Sequence, residues 1–165
     1  MKHKLLKLSH KIAPFFLKRK PILFVDITVL NQVDYGTGIQ RVVRSVVQEL
    51  YNMKIKNFDI NLVYIEESKN SIKYKRACNY EHKLKTIKCS NKTISPKKGD
   101  IFLGLDLVSN ISMIYKEGIF FNWKKKGVKI NFVVYDILPI LYPNWWPNGG
   151  ASSHTQWIDT VLNCA

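Results

Sequence analysis

The strongest constraint on the fold is an apolar run that is followed by a glycine-containing turn and a helical stripe. Residues 21–30 are almost continuously apolar or β-branched, which predicts a strand buried on both faces. After the turn 31–38, apolar residues recur with helical spacing, and Thr37 and Gln40 are placed as a capping box at the start of that helix. This stripe consists of Ile39, Val42, Val43, Val46, Val47 and Leu50. Strand, turn and helix in this order form the first half of a βαβ unit.

The rest of the chain continues the alternation. We predict strands at 61–65, 101–105 and 129–135, with one further short strand at 71–75 inside a lysine-rich, weakly patterned stretch. A helix is predicted over 109–126 and closed by Gly127, and a last helix over 154–163 is predicted to open on a capping box of Ser153 and Gln156. These elements predict an α/β fold: a Rossmann-like parallel sheet with helices on both faces.

The charge is unevenly distributed. The 165 residues carry 26 Lys and Arg against 12 Asp and Glu, a net charge of +14, and residues 1–20 contribute seven of the basic residues and no acidic one. Leu5, Leu8 and Ile12 recur there at helical spacing. We therefore divide the chain into a basic amphipathic lead-in, 1–20, and a domain, 21–165. The lead-in fits a solvated segment, contact with an anionic membrane surface or a targeting peptide, whereas its lysines argue against a secretory signal.

Composition and cysteine spacing exclude several classes of protein. A hydrophobic fraction of 46% is too high for a disordered basic tail, and no uncharged run approaches the roughly 20 residues that span a bilayer. Cys78, Cys89 and Cys164 show no C-x-x-C spacing, which predicts neither a disulfide framework nor a zinc site. A reducing cytoplasm is the simplest compartment, and no metal is expected.

The turn between the first strand and its helix is the first candidate site. Gly36 and Gly38 precede the helix N-terminus, where backbone N–H groups and the helix dipole favour an anion. Arg41 and Arg44 lie in the first turns of the same helix, which suits an anionic ligand opposite them. The turn lacks the third glycine of a dinucleotide fingerprint and the Gly-Lys-Ser/Thr of a P-loop. The alternative is a plain turn in which Arg41 pairs with Asp34.

Two further candidate segments follow the third and the last predicted strands. Asp106 comes directly after a strand, so its carboxylate can accept hydrogen bonds from a sugar hydroxyl or cap the following helix. The last strand runs into a loop in which a carboxylate stands beside aromatic rings, a combination that suits carbohydrate, domain packing or an ordinary core. The candidates in that loop are Tyr135, Asp136, Pro139, Trp145 and Trp146. His154 and Trp157, further on, are expected to be structural.

These segments, taken in order, resemble the N-terminal domain of bacterial glycosyltransferases of family 4. The resemblance is carried by residues 24–27, 37–44 with Leu50, 99–106, 134–139 and Trp157. It implies one half of a GT-B fold, in which two Rossmann-like domains enclose a cleft and act by a retaining mechanism. The N-terminal domain mainly meets the acceptor, and a C-terminal domain binds the nucleotide sugar through an E-x(7)-E type motif that does not occur here.

The resemblance also implies roles for individual residues. The turn with Gly36, Thr37 and Gly38 would approach the donor phosphates, and Asp136 would border the reacting sugar as the catalytic candidate. Many relatives have a histidine where this chain has Tyr135, which argues against acid or base work at that position. No cofactor or metal is implied, because the nucleotide sugar is a substrate.

The sequence-based hypothesis is an acceptor-side domain of a glycosyltransferase. It would serve a polysaccharide or lipid-linked acceptor in the cytoplasm or at the inner face of the plasma membrane, and would be inactive without a C-terminal domain, supplied in trans or missing. The alternative is a basic Rossmann-like module that binds nucleic acid or another anion without catalysis, which the lysines of 68–98 and 124–129 favour. A third possibility is an interaction protein derived from a decayed enzyme.

Overall fold

A single mixed sheet organises the part of the chain that the structure describes. The computed structural model describes residues 19–53, 55–69, 71–84, 89–146 and 148–165, and within these ranges five strands pair in the order β3-β2-β1-β4-β5. Strands β2, β1, β4 and β5 run parallel, whereas β3 is antiparallel to β2. The strands are β1 (Ile22–Asp26), β2 (Asp59–Ser68), β3 (Ser71–Arg76), β4 (Ile101–Gly104) and β5 (Lys129–Phe132).

Helices cover both faces of the sheet, as predicted for an α/β fold. Phe24 and Phe102 belong to a buried cluster on one face, whereas Val25 and Leu62 belong to a cluster on the other. The first cluster includes residues of α4, α5 and α7, and the second includes residues of α1 and α2. The helices are α1 (Thr28–Gln32), α2 (Gly38–Asn52), α3 (Cys78–Leu84), α4 (Ile111–Lys116), α5 (Ile119–Lys125), α6 (Leu138–Leu141) and α7 (Gly150–Cys164), and Pro143–Trp145 forms a 3₁₀ turn.

The first strand is shorter than the sequence predicts. Strand β1 ends at Asp26, and Thr28, Val29 and Leu30, predicted as strand, form the start of α1. The Asp26 side chain accepts hydrogen bonds from the N–H and the hydroxyl of Thr28, which turns the chain out of the strand. The prediction of a strand over 21–30 is therefore wrong beyond residue 26, because an apolar run does not distinguish a buried strand from a short buried helix.

Three other predicted boundaries are also corrected. The helix predicted over 109–126 is two helices that meet at Gly118, whose φ of 66° is left-handed and interrupts the helix. Helix α7 begins at Gly150 with Gly149 as its N-cap and no side-chain cap, so the predicted capping box of Ser153 and Gln156 is wrong. The strand predicted over 129–135 ends at Phe132.

A disulfide joins Cys78 and Cys89, contrary to the prediction that the cysteines form no such bridge. The two residues lie 11 positions apart, a spacing that matches no short cysteine motif. The first of them opens α3, a helix that the sequence did not predict, and Cys164 is a buried free thiol. The bridge thus ties α3 to the segment that follows it, and it removes the cysteine spacing as an argument for a reducing cytoplasm.

Helix α3 contributes a fully buried carboxylate, Glu81. Its Oε1 accepts hydrogen bonds from the N–H of Leu62, at 2.8 Å, and from the hydroxyl of Tyr51, at 3.2 Å. Its Oε2 accepts from Nε of Arg76 at 2.8 Å. One acidic side chain therefore connects α2, β2, β3 and α3, and the bonds offset the cost of burying its charge.

The chain enters the domain at the edge where the parallel strands begin. A nitrogen of Arg19 lies 2.8 Å from Oδ1 of Asp100, and the same oxygen accepts the N–H of Ile22. The amphipathic interpretation of the lead-in falls on residues 1–18, which lie outside the described residues. Among the described residues, no helix combines the length and the apolar character that crossing a bilayer requires.

The carboxylate of Asp26 lies at the centre of a buried polar network. Besides its bonds with Thr28, it accepts a hydrogen bond from the hydroxyl of Tyr74 on β3 at 2.8 Å, and the hydroxyl oxygen of Thr28 accepts the N–H of Ile65 on β2 at 2.9 Å. Burial raises the pKa of Asp26 to about 7, against the opposing effect of these hydrogen bonds. The folded state therefore favours the protonated acid below neutral pH.

We predict that Asp26→Asn removes a pH dependence of stability. The pKa in the folded state is about 7 against 3.8 in the unfolded chain, so the stabilising contribution is full below pH 3.8 and is lost as the pH rises through 7. At about 1.4 kcal/mol per pKa unit, the change is on the order of 4 kcal/mol. Asparagine can accept from Thr28 and donate to the hydroxyl oxygen of Tyr74, so it reproduces the protonated acid, with the direction of the bond to Tyr74 reversed.

Urea unfolding of both proteins between pH 4 and pH 8 tests this prediction. The unfolding free energy of the native chain, minus that of Asp26→Asn, should fall across this range. Other titrating groups cancel in the difference, because both chains carry them. A difference that does not change with pH would contradict the raised pKa.

Candidate functional site

The segments that follow β1, β4 and β5 share one edge of the sheet because these strands are parallel. They are linked there by direct hydrogen bonds. Oδ2 of Asp106, after β4, accepts the N–H of Leu30 in α1 at 2.8 Å. The hydroxyl of Tyr135, after β5, donates to the carbonyl of Leu105 at 2.7 Å. The segments that follow these three strands therefore meet at the carboxyl edge of the sheet.

The glycine turn before α2 is held in shape by Gln40. The buried Gln40 donates from Nε2 to the carbonyl of Val33 at 2.7 Å, and its Oε1 accepts the N–H of Tyr35 at 2.8 Å. The predicted capping box of Thr37 and Gln40 is confirmed. Gly36 adopts a φ of 68°, which a side chain at that position would strain. The turn is therefore a preformed, exposed loop at a helix N-terminus.

The two arginines of this helix have different environments. Arg44 forms an ion pair with Asp34, and the N–H of Gly36, with a smaller contribution from Arg44, holds the pKa of Asp34 below its usual range. The proposed pairing of Arg41 with Asp34 is wrong, since Arg44 takes that place. Arg41 is exposed and makes no side-chain hydrogen bond or ion pair with the described residues. Of the two arginines, Arg41 is therefore the one whose charge is available to bind an anionic ligand.

Asp106 is buried rather than exposed to a ligand. Only 3% of its surface is accessible, and its Oδ1 accepts the N–H of Leu107 in addition to the bond that Oδ2 forms with Leu30. Burial raises its pKa, and the backbone hydrogen bonds oppose that shift. The carboxylate therefore accepts a backbone N–H from the first turn of α1. The sequence had instead suggested that Asp106 caps the helix that follows it in the chain.

Tyr135 and Asp136 lie at the same carboxyl edge of the sheet. Burial, followed by the charge of Asp106, raises the pKa of Tyr135 to about 12, so this hydroxyl remains a donor at neutral pH. Asp136 is half-buried, and its Oδ1 accepts the N–H of Leu138 at 2.7 Å. Its backbone oxygen lies 2.7 Å from Nε2 of His154. The strand end is therefore tied to α7 through a histidine that the sequence analysis took as structural.

The aromatic loop exposes one flat surface. Trp145 is 67% exposed and stacks on Tyr142, with ring centroids 4.5 Å apart and planes 12° apart. Trp146 is half-buried and lies against Gly150, whereas Pro139 is buried in α6. Of these predicted site residues, Trp145 presents the largest free surface and Pro139 serves packing.

A cleft of 210 Å³ lies between the segment after β4 and the start of α7. Ser109, Ser153 and His154 contribute polar groups to its walls, and Leu107, Gly150 and Trp157 complete them. Sequence reasoning did not assign these polar residues to the site, since isolated serines and a lone histidine carry no motif. The only signal in the sequence was that Ser109 follows a predicted strand end and that Ser153 and His154 stand at the start of a predicted helix.

A cluster of possible metal ligands lies elsewhere, at α3. The ligand atoms of Cys78, Glu81 and Cys89 lie within 4.8 Å of one another. The two sulfur atoms are joined in the disulfide, and both oxygens of Glu81 already accept hydrogen bonds. As arranged, the cluster serves the structure of α3 and offers no free set of ligands.

A mostly parallel sheet with helices on both faces and polar loops at its carboxyl edge defines a Rossmann-like α/β domain. Over 144 residues, 87% of this chain, the sequence is 29% identical to the serotype-specific mannosyltransferase WbdA of Escherichia coli. Two further E. coli WbdA sequences match the same length at 28% and 29% identity. The chain spans 17% of the length of these relatives. No protein-family model and no solved structure matches it.

The chain is thus similar to a fragment of a glycosyltransferase, which confirms the resemblance found from the sequence at that level. The matched length includes most of the domain that the structure describes. The carboxyl edge of the sheet is the part of a parallel α/β domain where ligands generally bind.

We predict that Gln40→Ala loosens the glycine turn. The change removes the donor to Val33 and the acceptor for Tyr35, which should lower the free energy of unfolding by about 1–2 kcal/mol. Amide hydrogen exchange at Tyr35 should become faster, because its backbone N–H loses its partner. Gln48→Ala on the exposed side of the same helix is the matched control, and equal effects of both substitutions would refute the role of Gln40.

Proposed function

We propose that this chain is the acceptor-side domain of a retaining, nucleotide-sugar-dependent glycosyltransferase of family 4 with a GT-B fold. The observation that carries the proposal is the 144-residue similarity to WbdA, taken together with the polar loops at one edge of a Rossmann-like sheet. The name of these relatives indicates mannose as the transferred sugar. A polysaccharide or a lipid-linked saccharide is the acceptor, and neither a cofactor nor a metal takes part.

On the acceptor side, Trp145 and Asp136 are the contacts we assign. The exposed ring of Trp145 offers a flat apolar face on which the C–H groups of a pyranose can pack. The half-buried carboxylate of Asp136 has a second oxygen that can accept a hydrogen bond from a sugar hydroxyl. Because His154 lines the cleft beside α7 and contacts the backbone oxygen of Asp136, it ties the segment of Asp136 to the wall of that cleft. Asp136 borders the reacting sugar in this proposal.

On the donor side, the glycine turn and Arg41 are the groups we assign to the phosphates. The N-terminus of α2 carries a partial positive charge, and the exposed Gly36 and Gly38 have no side chain that would keep a phosphate away. Arg41 adds a full charge that is not used by any described carboxylate. Thr37 and Arg44 position the turn through the cap and through Asp34.

Asp106 and Tyr135 act as positioning residues rather than as contacts in this proposal. Their hydrogen bonds link α1, the end of β4 and the segment after β5, which fixes the floor under the exposed groups. Trp146 and Pro139 support the aromatic loop by packing. The chemistry is then left to the partly exposed Asp136, together with a second domain that supplies the remaining donor contacts, in the same polypeptide or in trans.

We place the protein in the cytoplasm, with residues 1–20 at the inner face of the plasma membrane. Seven basic residues without an acidic one support an attraction to anionic headgroups, where lipid-linked acceptors are anchored. This assignment rests on the sequence of the lead-in.

We predict that Trp145→Ala weakens binding of mannose oligosaccharides by at least tenfold. The substitution removes the exposed ring on which the sugar packs, and saturation-transfer NMR with a mannose oligosaccharide measures the loss. Phe121→Ala is the matched control, because Phe121 is 59% exposed on α5, away from the carboxyl edge. Equal binding by both variants would contradict an acceptor site at Trp145.

We also predict that the purified 165-residue chain does not turn over a nucleotide-activated mannose. Catalysis requires contacts that strengthen in the transition state, and a two-domain enzyme divides them between its halves. Release of free nucleotide in the presence of a mannose oligosaccharide is the measurement. Steady release that depends on the oligosaccharide would overturn the proposed need for a second domain.

A further inference from the structure

A second surface, distant from the carboxyl edge, combines lysines with exposed apolar side chains. Tyr115, Lys116, Phe121, Lys124 and Lys125 line one groove of 690 Å³, and we call this set the α4–α5 face. Tyr115 is 42% exposed and Phe121 is 59% exposed. Large apolar groups at such exposure, grouped with cations, are more typical of a contact surface than of a plain solvated face.

Lys116 and Lys125 of this face are not neutralised by side-chain carboxylates of the described residues. Lys124 donates to the backbone oxygens of Cys164 and Ala165, whereas Lys116 and Lys125 form no ion pair within the described ranges. The ammonium of Lys125 lies 4.4 Å from the centroid of the Phe121 ring. The nearest acid in sequence, Glu117, lines a different cleft, with Ile119 and Trp123.

The basic end of α5 lies where the parallel strands begin, opposite the candidate sugar site. Helix α5 ends shortly before β5, and the N–H of Gly99 donates to the carbonyl of Gly127, close to Asp100 and its partner Arg19. The lead-in therefore joins the domain at the same end as this cluster of lysines. A surface bound there would leave the carboxyl edge open to substrates.

We propose that the α4–α5 face binds the surface of an anionic phospholipid bilayer. Its lysines complement the phosphate groups, and the side chains of Phe121 and Tyr115 reach the boundary between headgroups and acyl chains. Nucleic acid would use the same lysines. The rings of Tyr115 and Phe121 could stack on a base as well as enter a bilayer. The exposed aliphatic side chains of Leu162 and Met113, which neighbour the groove in sequence, find an apolar partner in a bilayer and none in nucleic acid, so lipid is favoured. This contact does not depend on the proposed transfer activity.

Vesicle flotation with the full chain tests the proposal. Vesicles of phosphatidylglycerol and phosphatidylcholine are compared with pure phosphatidylcholine, using the native chain, Lys116→Glu/Lys125→Glu and the control Lys69→Glu/Lys73→Glu. Both double variants lower the net charge from +14 to +10, but the control lysines are exposed on the β2–β3 hairpin and outside the groove. Circular dichroism checks that all variants fold.

The expected result is binding that requires phosphatidylglycerol. The lipid concentration for half-maximal binding should rise at least tenfold for Lys116→Glu/Lys125→Glu and less than threefold for the control, because each basic residue near an anionic surface contributes roughly fivefold in affinity. Phe121→Ser keeps the charge and should weaken the binding that persists at high salt, where apolar contact dominates.

Three results would overturn the proposal. Equal losses in both double variants would assign the binding to overall charge or to the lead-in. Absence of vesicle binding by the native chain would remove the surface contact. Binding to duplex DNA, with the same dependence on Lys116 and Lys125 and without vesicle binding, would assign the face to nucleic acid.

Discussion

The carboxylate of Asp26 is the interaction on which the arrangement of the carboxyl edge depends. It ends β1 and starts α1 through Thr28, and it holds β3 against the sheet through Tyr74. A buried carboxyl group without these partners would be costly, so the three elements must meet at this point. Helix α1 is then completed by Asp106 from the next strand. Two buried acids, Asp26 and Asp106, thus hold the elements that carry the loops of the candidate site.

The residues at the carboxyl edge fall into two groups: those that position the site and those that can contact a ligand. Asp106 and Tyr135 belong to the first group, because their hydrogen bonds link strand ends. The accessible groups are Arg41 in the first turn of α2, the half-buried Asp136 and the exposed Trp145 in the aromatic loop. A loop that is anchored from below loses little conformational freedom when a sugar or a phosphate binds, which favours affinity. The strand-end residues that resemble the glycosyltransferase motif therefore belong to both groups.

The sequence predicted those parts of the fold that depend on neighbouring residues. The capping box of Thr37 and Gln40 and the parallel pairing around β1 follow from local spacing and from the βαβ pattern. The end of β1, the buried Glu81 and the bridge of Cys78 to Cys89 depend on partners far away in sequence. In the candidate site, the loops were predicted because they follow strand ends. The sequence did not predict which side chains of these loops are exposed, because hydrogen bonds across the sheet determine their burial.

The topology of the sheet also explains where the positive charge of the domain lies. Parallel strands place helix N-termini at the carboxyl edge and helix C-termini at the opposite edge. Cations are stabilised by the helix dipole at C-termini, as for Lys124 and Lys125 at the end of α5. Lysines that favour the fold therefore collect away from the candidate sugar site. An acidic surface that attracts this end leaves the carboxyl edge facing water, so binding to such a surface and access of a soluble donor are compatible in one domain.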